Sequence, residues 1–275
     1  MQWSNDGGRE RLFEIEAQIR AECNAPMKRV VNVLVQGCHG YNDFVRGCIN
    51  LHLSAKGICD TDFAIRHPVR QILKYKGIEE GDDPIQAEHT YRLGGKSLAP
   101  YFKDGTFYFR CNWIYRGLET ADCLHQFQTF YELDNEYADK FERFYESFIG
   151  KESYNIIHCR FADTFLGNDK LPPQTEKMLD AMSSVVENGT VLITSSPAFT
   201  NVCKKGFSGL KTTGFSNQHF GQIKDVDTLF ETFAEMLLFT RAVKCDAFSV
   251  FSWGSSGFSL WPCKIFGVPF AVQRV

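Results

Sequence analysis

Residues 228–270 read TLFETFAEMLLFTRAVKCDAFSVFSWGSSGFSLWPCKIFGVPF, and this stretch decides the fold class. Apolar residues recur at helical spacing over 229–242, which predicts an amphipathic helix with one buried side. Residues 247–251 are apolar and rich in strand-forming side chains, so they predict a buried strand. A second helix is predicted over 258–266, after a turn of small residues. This order of helix, strand, turn and helix is typical of an α/β fold with a parallel sheet.

The turn before the second helix is a candidate anion site. Ser255, Ser256 and Gly257 stand between the carboxyl end of a strand and the amino end of a helix. Backbone N–H groups are unpaired at the amino end of a helix, and the positive end of the helix dipole lies there, so such turns commonly bind phosphate. The alternative is an ordinary strand-to-helix turn in which a serine caps the helix. The sequence leaves both hypotheses open.

Composition narrows the class of protein. The chain has 275 residues and a net charge of -3 with interspersed signs, which predicts neither a nucleic-acid partner nor a polybasic membrane patch. No run of residues reaches the length of a membrane span, and the first residues contain no apolar signal segment. The ten cysteines are scattered without CxxC spacing. We therefore expect reduced thiols and a cytoplasmic location.

The first half of the chain contains one βαβ unit. Residues 29–35 are rich in β-branched side chains and predict a buried parallel strand. A glycine-rich turn with Gly37 and Gly40 follows, and Asn42 is predicted to cap the next helix. The second strand is predicted over 58–65. A glycine-rich first turn in a βαβ unit is the signature of a Rossmann-like half.

From residue 151 the alternation of strands and helices restarts. Strands are predicted over 155–159 and 191–194, with a helix over 175–186 between them. We therefore predict an α/β fold of two Rossmann-like domains, 1–150 and 151–275, facing one another across a cleft. Ligands are expected at the carboxyl ends of the strands.

Arg160 is the first candidate for chemistry. It leaves the strand over 155–159 at its carboxyl end, so it lies beside the serine turn if the two strands share one sheet. A guanidinium there can hold a diphosphate bidentately and stabilise a departing nucleoside diphosphate. The alternative is a structural ion pair between Arg160 and Asp163.

These motifs together resemble a known superfamily. The HxRxxD pattern of His158, Arg160 and Asp163 is similar to the first motif of the α1,2-, α1,6- and protein-O-fucosyltransferases. Residues 193–197, ITSSP, resemble the second motif, and 228–270 resemble the third. The glycine-rich turn of the first half also fits this superfamily.

The resemblance implies a GT-B fold and inverting transfer of a sugar from a nucleotide sugar, with no required metal or other cofactor. Arg160 would bind the β-phosphate. Ser255 and Ser256, with the N–H groups of Gly257 and Phe258, would hold the rest of the diphosphate. The sugar would pass to a hydroxyl of a carbohydrate acceptor.

The resemblance also suggests how the donor and the domains are arranged. His158 would approach the nucleoside, together with an acid from the preceding helix such as Glu235. Gly37 and Gly40 would line the donor site from the first domain, which would bind the acceptor, while the second domain binds the donor. GDP-fucose is the favoured donor. Phe161 occupies the position at which part of the family has a second arginine, so UDP-xylose and an activated rhamnose stay open as alternative donors.

The acceptor hydroxyl needs a catalytic base. His39 lies in the glycine-rich turn and titrates in the right range, so it is one candidate. Asp163 and Asp169, just after Arg160, are the others.

Two different classes of protein stay open. Asp60 and Asp62 have the DxD form with which GT-A glycosyltransferases hold a divalent cation, although residues 225–227 have that form too and would also serve as a helix cap. A catalytically silent module that binds nucleotide or carbohydrate would keep the same fold as an active enzyme.

Overall fold

The structure is a computed structural model that describes residues 7–37, 40–79, 86–89, 96–110, 124–215, 218–251 and 256–275. The chain divides into two compact units, Met1–Phe130 and Tyr131–Val275. Each unit is built on a parallel sheet, with one short antiparallel strand added in the first. The prediction of an α/β chain with two Rossmann-like units is therefore confirmed.

The first unit has the strand order β2-β1-β5-β3, with β4 antiparallel to β5. Strand β1 is central because its side chains are apolar on both faces, and five consecutive residues of its seven are buried. It pairs with β2 along the full length of both strands. The elements of this unit are α1 (Gly7–Cys23), β1 (Arg29–Val35), α2 (Tyr41–Ala55), β2 (Asp60–Arg66), β3 (Glu88–His89), β4 (Phe102–Lys103) and β5 (Thr106–Arg110).

Helix α2 begins earlier than the sequence predicts. Gly40 is extended, with φ −63° and ψ 156°, and takes the N-cap position. Its carbonyl accepts the N–H of Phe44 at 3.2 Å. Asn42 lies inside the helix and is buried, so the prediction that Asn42 caps this helix is wrong. Glycine is itself an accepted N-cap residue, because it adopts the required extended conformation without strain.

The second unit has the strand order β10-β9-β6-β7-β8, and all of its strands are parallel. The chain starts at the central strand β6, moves outward through β7 and β8, and then crosses to β9 and β10 on the other side. Its elements are α3 (Asn135–Phe148), β6 (Ile156–Arg160), α4 (Thr175–Ser183), β7 (Val191–Thr194), α5 (Pro197–Gly206), β8 (Lys211–Thr212), α6 (Val226–Arg241), β9 (Cys245–Ser249), α7 (Gly257–Phe266) and β10 (Phe270–Arg274).

Two hydrophobic clusters cover the two faces of this second sheet. Alternate side chains of β6 enter different clusters, since successive residues of a strand point to opposite faces. Ile156 packs in the cluster that contains α6 residues such as Phe239, and Ile157 packs with α4 and α5 residues such as Met178 and Phe199. A sheet covered on both faces is the doubly wound arrangement, in which ligands bind where the strand order reverses.

The two units divide before α3, about twenty residues earlier than the predicted boundary at residue 150. Helix α3 contributes its apolar face to the second unit, where Phe144 packs on Phe215 with ring centroids 4.9 Å apart. Glu142 of α3 also pairs with Arg241 at the end of α6. The polar sequence around Gly150 is the end of this helix and the turn into β6, not a linker between the units.

Helix α5 is an element that the sequence analysis does not predict. Ser196 accepts the N–H of Phe199 at 3.2 Å as the N-cap, and Pro197 takes the first helical position. Both residues favour a helix start, so the signal was present in the ITSSP sequence. By contrast, α7 ends at Phe266, as the sequence predicts, and Gly267 caps it with φ 71°, a left-handed conformation that favours glycine.

In the ranges that the structure covers, no helix has the length and apolar character needed to cross a membrane. The cysteines within those ranges are free thiols: Cys23, Cys48, Cys59, Cys159, Cys203, Cys245 and Cys263.

The buried aromatic core of the first unit gives a test of the fold. Phe107 is fully buried and stacks on Phe109 with ring centroids 5.7 Å apart, whereas Phe13 of α1 is 50% exposed. Phe107→Ala should lower the free energy of unfolding of this unit by about 3–5 kcal/mol, because it leaves a cavity. Phe13→Ala, the same change at the surface of the same unit, should alter it by about 0.5 kcal/mol. Urea unfolding followed by circular dichroism measures both, and equal effects of the two changes would contradict this core.

Candidate functional site

Arg160 and the start of α7 lie at the ends of adjacent strands. Arg160 is the last residue of β6, and its partner in the ladder is Ser249, the last residue of β9. Neighbouring strands are about 4.8 Å apart, and β9 is the strand that precedes α7 in the chain. These two strands flank the point where the strand order reverses. The sequence analysis required that both strands share one sheet, and they are nearest neighbours in it.

The start of α7 is capped by a serine. Ser256 is extended, and its hydroxyl oxygen accepts the N–H of Phe258 at 3.2 Å. The capping hypothesis therefore describes Ser256 in this structure, while Ser255 lies outside the described residues. A serine hydroxyl that accepts a hydrogen bond still has its own proton to donate. Ser256 can thus cap the helix and donate to an anion at the same time.

Arg160 is paired with Asp163, as the structural alternative predicts. The Arg160 Nη2 donates to Asp163 Oδ1, and the side chains are 22% and 63% exposed. An ion pair this close to solvent contributes little stability. The guanidinium has five N–H donors in a fixed fork, and this contact uses one nitrogen. Asp163 can therefore orient the fork while the remaining donors face a ligand.

His158 lies in the interior, and this differs from the expected approach to a nucleoside. Its side chain is buried, and Nδ1 lies 2.7 Å from the Ser259 hydroxyl of α7. The ring packs against Phe239 and Phe258. Burial lowers the pKa of His158 to about 3, and the charge of Arg160 adds to the effect, so the imidazole is neutral. The contact between His158 and Ser259 therefore holds the first turn of α7 against β6.

Glu235 lies at the same edge of the sheet as Arg160 but further along it. Thr213, which follows β8 directly, donates its hydroxyl to the Glu235 carboxylate. Strand β8 is two strands from β6, which corresponds to roughly 10 Å. Burial raises the pKa of Glu235 to about 7, with the hydrogen bond from Thr213 acting against it and the charge of Glu231 adding to it. Glu235 is thus a buried acid that titrates near neutral pH.

Ser195 is a residue that the sequence analysis did not place in the site. It follows Thr194, the last residue of β7, which pairs with Cys159 of β6. The Ser195 hydroxyl is buried and makes no hydrogen bond to any residue that the structure describes. The signal was the serine pair of the ITSSP motif, but only the register shows that Ser195 reaches the strand end beside Arg160.

The glycine-rich turn belongs to the first unit, and part of it can be described. Gly37 has φ 79°, a left-handed conformation that favours glycine, and Gly40 caps α2. His39, a candidate catalytic base, lies outside the described residues. Asp169, another candidate base, follows Arg160 in the second unit.

The two DxD sequences have different places in the fold. Asp60 is the first residue of the edge strand β2, and Asp62 Oδ1 accepts the N–H of Phe63 at 2.9 Å. Asp60 and Asp62 therefore lie at the amino end of β2. This position, in a chain built on two parallel sheets, counts against the GT-A hypothesis. Asp225 accepts the N–H groups of Asp227 and Thr228, so it caps α6 as predicted.

The buried carboxyl of Glu235 predicts a pH dependence of stability. In the unfolded chain the pKa of the Glu235 carboxyl is near 4.5, whereas in the folded protein it is about 7. The free energy of unfolding therefore falls as the pH rises from about 4.5 to about 7 and levels off above. Glu235→Gln keeps an acceptor for Thr213 and removes this loss of stability, so the variant should gain about 3 kcal/mol over wild type at pH 8 and almost nothing at pH 4.

Urea unfolding of the second unit at several pH values measures this difference. Glu146→Gln is the matched control, since Glu146 is an exposed residue of α3 in the same unit. A Glu235→Gln gain that does not change between pH 4 and pH 8 would show that burial does not raise this pKa.

Comparison with known proteins identifies the fold. No protein-family model matches the sequence, and the curated proteins give no match. The structure is similar to that of NodZ alpha-1,6-fucosyltransferase soaked with GDP-fucose, with a TM-score of 0.55 and 9% identity over 86% of this chain and 92% of that one. Fucosyltransferase NodZ from Bradyrhizobium, in selenomethionine form, gives a TM-score of 0.53 at 10% identity, with the same coverage. The chain therefore has the GT-B-like fold of these fucosyltransferases, as the sequence motifs predicted.

Proposed function

We propose that this chain is a glycosyltransferase that moves fucose from GDP-fucose to a hydroxyl of a carbohydrate acceptor. The observation that carries the proposal is the pairing of β6 with β9, which brings Arg160 and the amino end of α7 to one pair of strand ends. NodZ is described as an alpha-1,6-fucosyltransferase and was soaked with GDP-fucose. We take the reaction class and the donor from that likeness in fold, and the residue roles from the site itself.

The diphosphate of the donor would lie between Arg160 and the first turn of α7. The planar guanidinium matches two phosphate oxygens, and the helix dipole favours negative charge at this end. Ser256 has a hydroxyl proton to donate, and Gly257 leaves room for close approach of the backbone. As the bond between the fucose and the β-phosphate breaks, negative charge develops on the phosphate, where these groups would stabilise it.

The transfer would invert the configuration of the sugar in one displacement. The acceptor oxygen attacks the anomeric carbon from the face opposite the diphosphate, the carbon–oxygen bond to the β-phosphate breaks, and GDP leaves. The proton of the acceptor hydroxyl passes to a base. Arg160 and the helix amino end supply the positive charge that a metal supplies elsewhere, so we propose that no metal is required.

One of the three candidate bases has another role in the site. The Asp163 carboxylate is hydrogen-bonded to Arg160, which suits it to orienting the guanidinium. We therefore propose His39 as the base, with Asp169 as the alternative. The first unit would bind the acceptor and the second the donor. The free thiols in the described ranges support a reducing, cytoplasmic compartment.

Replacement of Arg160 tests the diphosphate site. Arg160→Ala should reduce turnover of GDP-fucose by roughly 10- to 100-fold, because a charge-assisted contact contributes about 1.5–3 kcal/mol. Arg160→Lys should recover little of it, since the ammonium lacks the planar fork. Arg143→Ala, an exposed residue of α3, is the matched control and should be as active as wild type. GDP release measures all three, and near-normal release by Arg160→Ala would refute the assignment.

A donor panel with and without EDTA tests the reaction class. We expect GDP-fucose to be consumed at the same rate in both conditions, and UDP-xylose and dTDP-rhamnose to be consumed more slowly. Loss of turnover in EDTA would contradict the metal-independent mechanism. A GDP-dependent rise in melting temperature without turnover of any donor would identify a silent binding module instead, since a ligand of the native state raises its stability.

A further inference from the structure

A cavity lies in the first unit, at the end of the sheet away from the glycine-rich turn. Its volume is about 500 Å³. Arg29, the first residue of β1, and Asp60, the first residue of β2, are ladder partners and both line it. The glycine-rich turn follows the opposite, carboxyl end of β1. The cavity is therefore separate from the strand ends that carry the motifs discussed above, and it is large enough for a ligand of several rings.

One side of the cavity is aromatic. The cavity is lined by the partly exposed rings of Phe63 and Tyr75, which are supported by the buried rings of Phe127 and Phe130. The ring centroids of Phe63 and Phe130 are 5.0 Å apart, and those of Tyr75 and Phe130 are 5.2 Å apart. Because these rings pack on one another, their positions are fixed before a ligand arrives. A fixed aromatic surface favours a ligand that has a flat apolar face.

The other side of the cavity is polar and carries both kinds of hydrogen-bonding group. The carboxylates of Asp60 and Asp62 only accept hydrogen bonds, and the guanidinium of Arg29 only donates them. Burial raises the pKa of Tyr75 to about 12, and the negative charge of Asp62 adds to the effect. The Tyr75 hydroxyl therefore keeps its proton at neutral pH and is a further donor.

The aromatic side and the polar side of the cavity together favour one chemical class of ligand. The two carboxylates disfavour an anion, and the positive charge of Arg29 offsets part of their attraction for a cation. An apolar ligand would leave these polar groups without hydrogen bonds. A sugar ring has hydroxyls that donate to carboxylates and accept from a guanidinium, and its C–H faces pack on aromatic rings. In the part of the chain that the structure describes, no group of three His, Cys, Asp or Glu residues could hold a metal ion here.

We propose that the cavity formed by Arg29, Asp60, Asp62, Phe63 and Tyr75 binds a neutral oligosaccharide. Asp60 and Asp62 accept hydrogen bonds from its hydroxyls, Arg29 and Tyr75 donate to its oxygens, and the aromatic surface packs against a ring face. If the chain transfers fucose, as proposed above, the ligand is a segment of the acceptor glycan that is remote from the reacting hydroxyl. This identity of the ligand rests on the proposed function. Such a site would raise affinity for long acceptors over short ones.

Binding measured without any donor tests this site directly. The probes are cellohexaose, xylohexaose and chitohexaose as neutral oligosaccharides, with spermidine as a cation and inorganic phosphate as an anion. Isothermal titration of the full chain should show binding of at least one neutral oligosaccharide and of neither charged probe. Asp62→Asn should weaken that binding by about tenfold or more, because it removes a charged acceptor. Tyr75→Phe keeps the ring and should weaken it by roughly three- to tenfold.

Two controls keep this site apart from the donor site. Glu79→Gln changes an exposed carboxylate of the first unit that does not line the cavity, and it should bind as wild type does. Arg160→Ala should also bind the oligosaccharide normally, even though it disturbs the proposed diphosphate site. The melting temperature of each ligand-free variant verifies that it folds. The proposal would be overturned if spermidine or phosphate bound in place of sugars, or if no oligosaccharide bound. It would also be overturned if Asp62→Asn and Tyr75→Phe left the affinity for the oligosaccharide unchanged. Failure of fucosyl transfer alone would leave it standing.

Discussion

The parallel pairing of β6 with β9 is the contact on which the candidate donor site depends. In sequence, Arg160 and Gly257 are far apart, and each belongs to its own strand–turn segment. Hydrogen bonding between the two strands places Arg160 beside Ser249, and His158, two residues before Arg160, contacts Ser259 in the first turn of α7. The remainder of the second unit maintains this pairing, because its helices cover both faces of the sheet with apolar side chains. A shift of one residue in register would turn Arg160 to the other face.

The buried pair of His158 and Ser259 connects this sheet to the helix that would hold the diphosphate. A neutral imidazole in contact with a hydroxyl satisfies two polar groups that burial would otherwise destabilise. Protonation of His158 would place a charge in the interior close to Arg160, and this explains why its pKa is lowered. The pair therefore fixes the first turn of α7 without adding charge of its own. Preorganised groups of this kind need not rearrange when negative charge develops on a phosphate.

The two ends of the parallel sheets offer different chemistry. At the carboxyl ends of β6, β7 and β9 the side chains are arginine and serine, and helix dipoles add positive potential, which suits phosphate. The cavity beside the amino ends of β1 and β2 is lined by aspartate, arginine and tyrosine together with other aromatic rings, which fits the sugar that we propose. In the proposed sugar site, Asp60 and Asp62 accept hydrogen bonds from hydroxyls, a role that needs no metal.

The sequence by itself determined the α/β class, the strands Arg29–Val35 and Val191–Thr194, the end of α7 at Gly267 and the motif that contains Arg160. Each of these depends on local chemistry: runs of β-branched residues, a glycine in the left-handed conformation, and a charged residue at a strand end. Only the tertiary structure decided that Glu235 lies against Thr213, that His158 faces the interior, that Ser195 reaches the strand end beside Arg160, and that α3 belongs to the second unit. These results depend on strand order, register and helix packing, which join residues distant in sequence, and no local pattern of side chains specifies them.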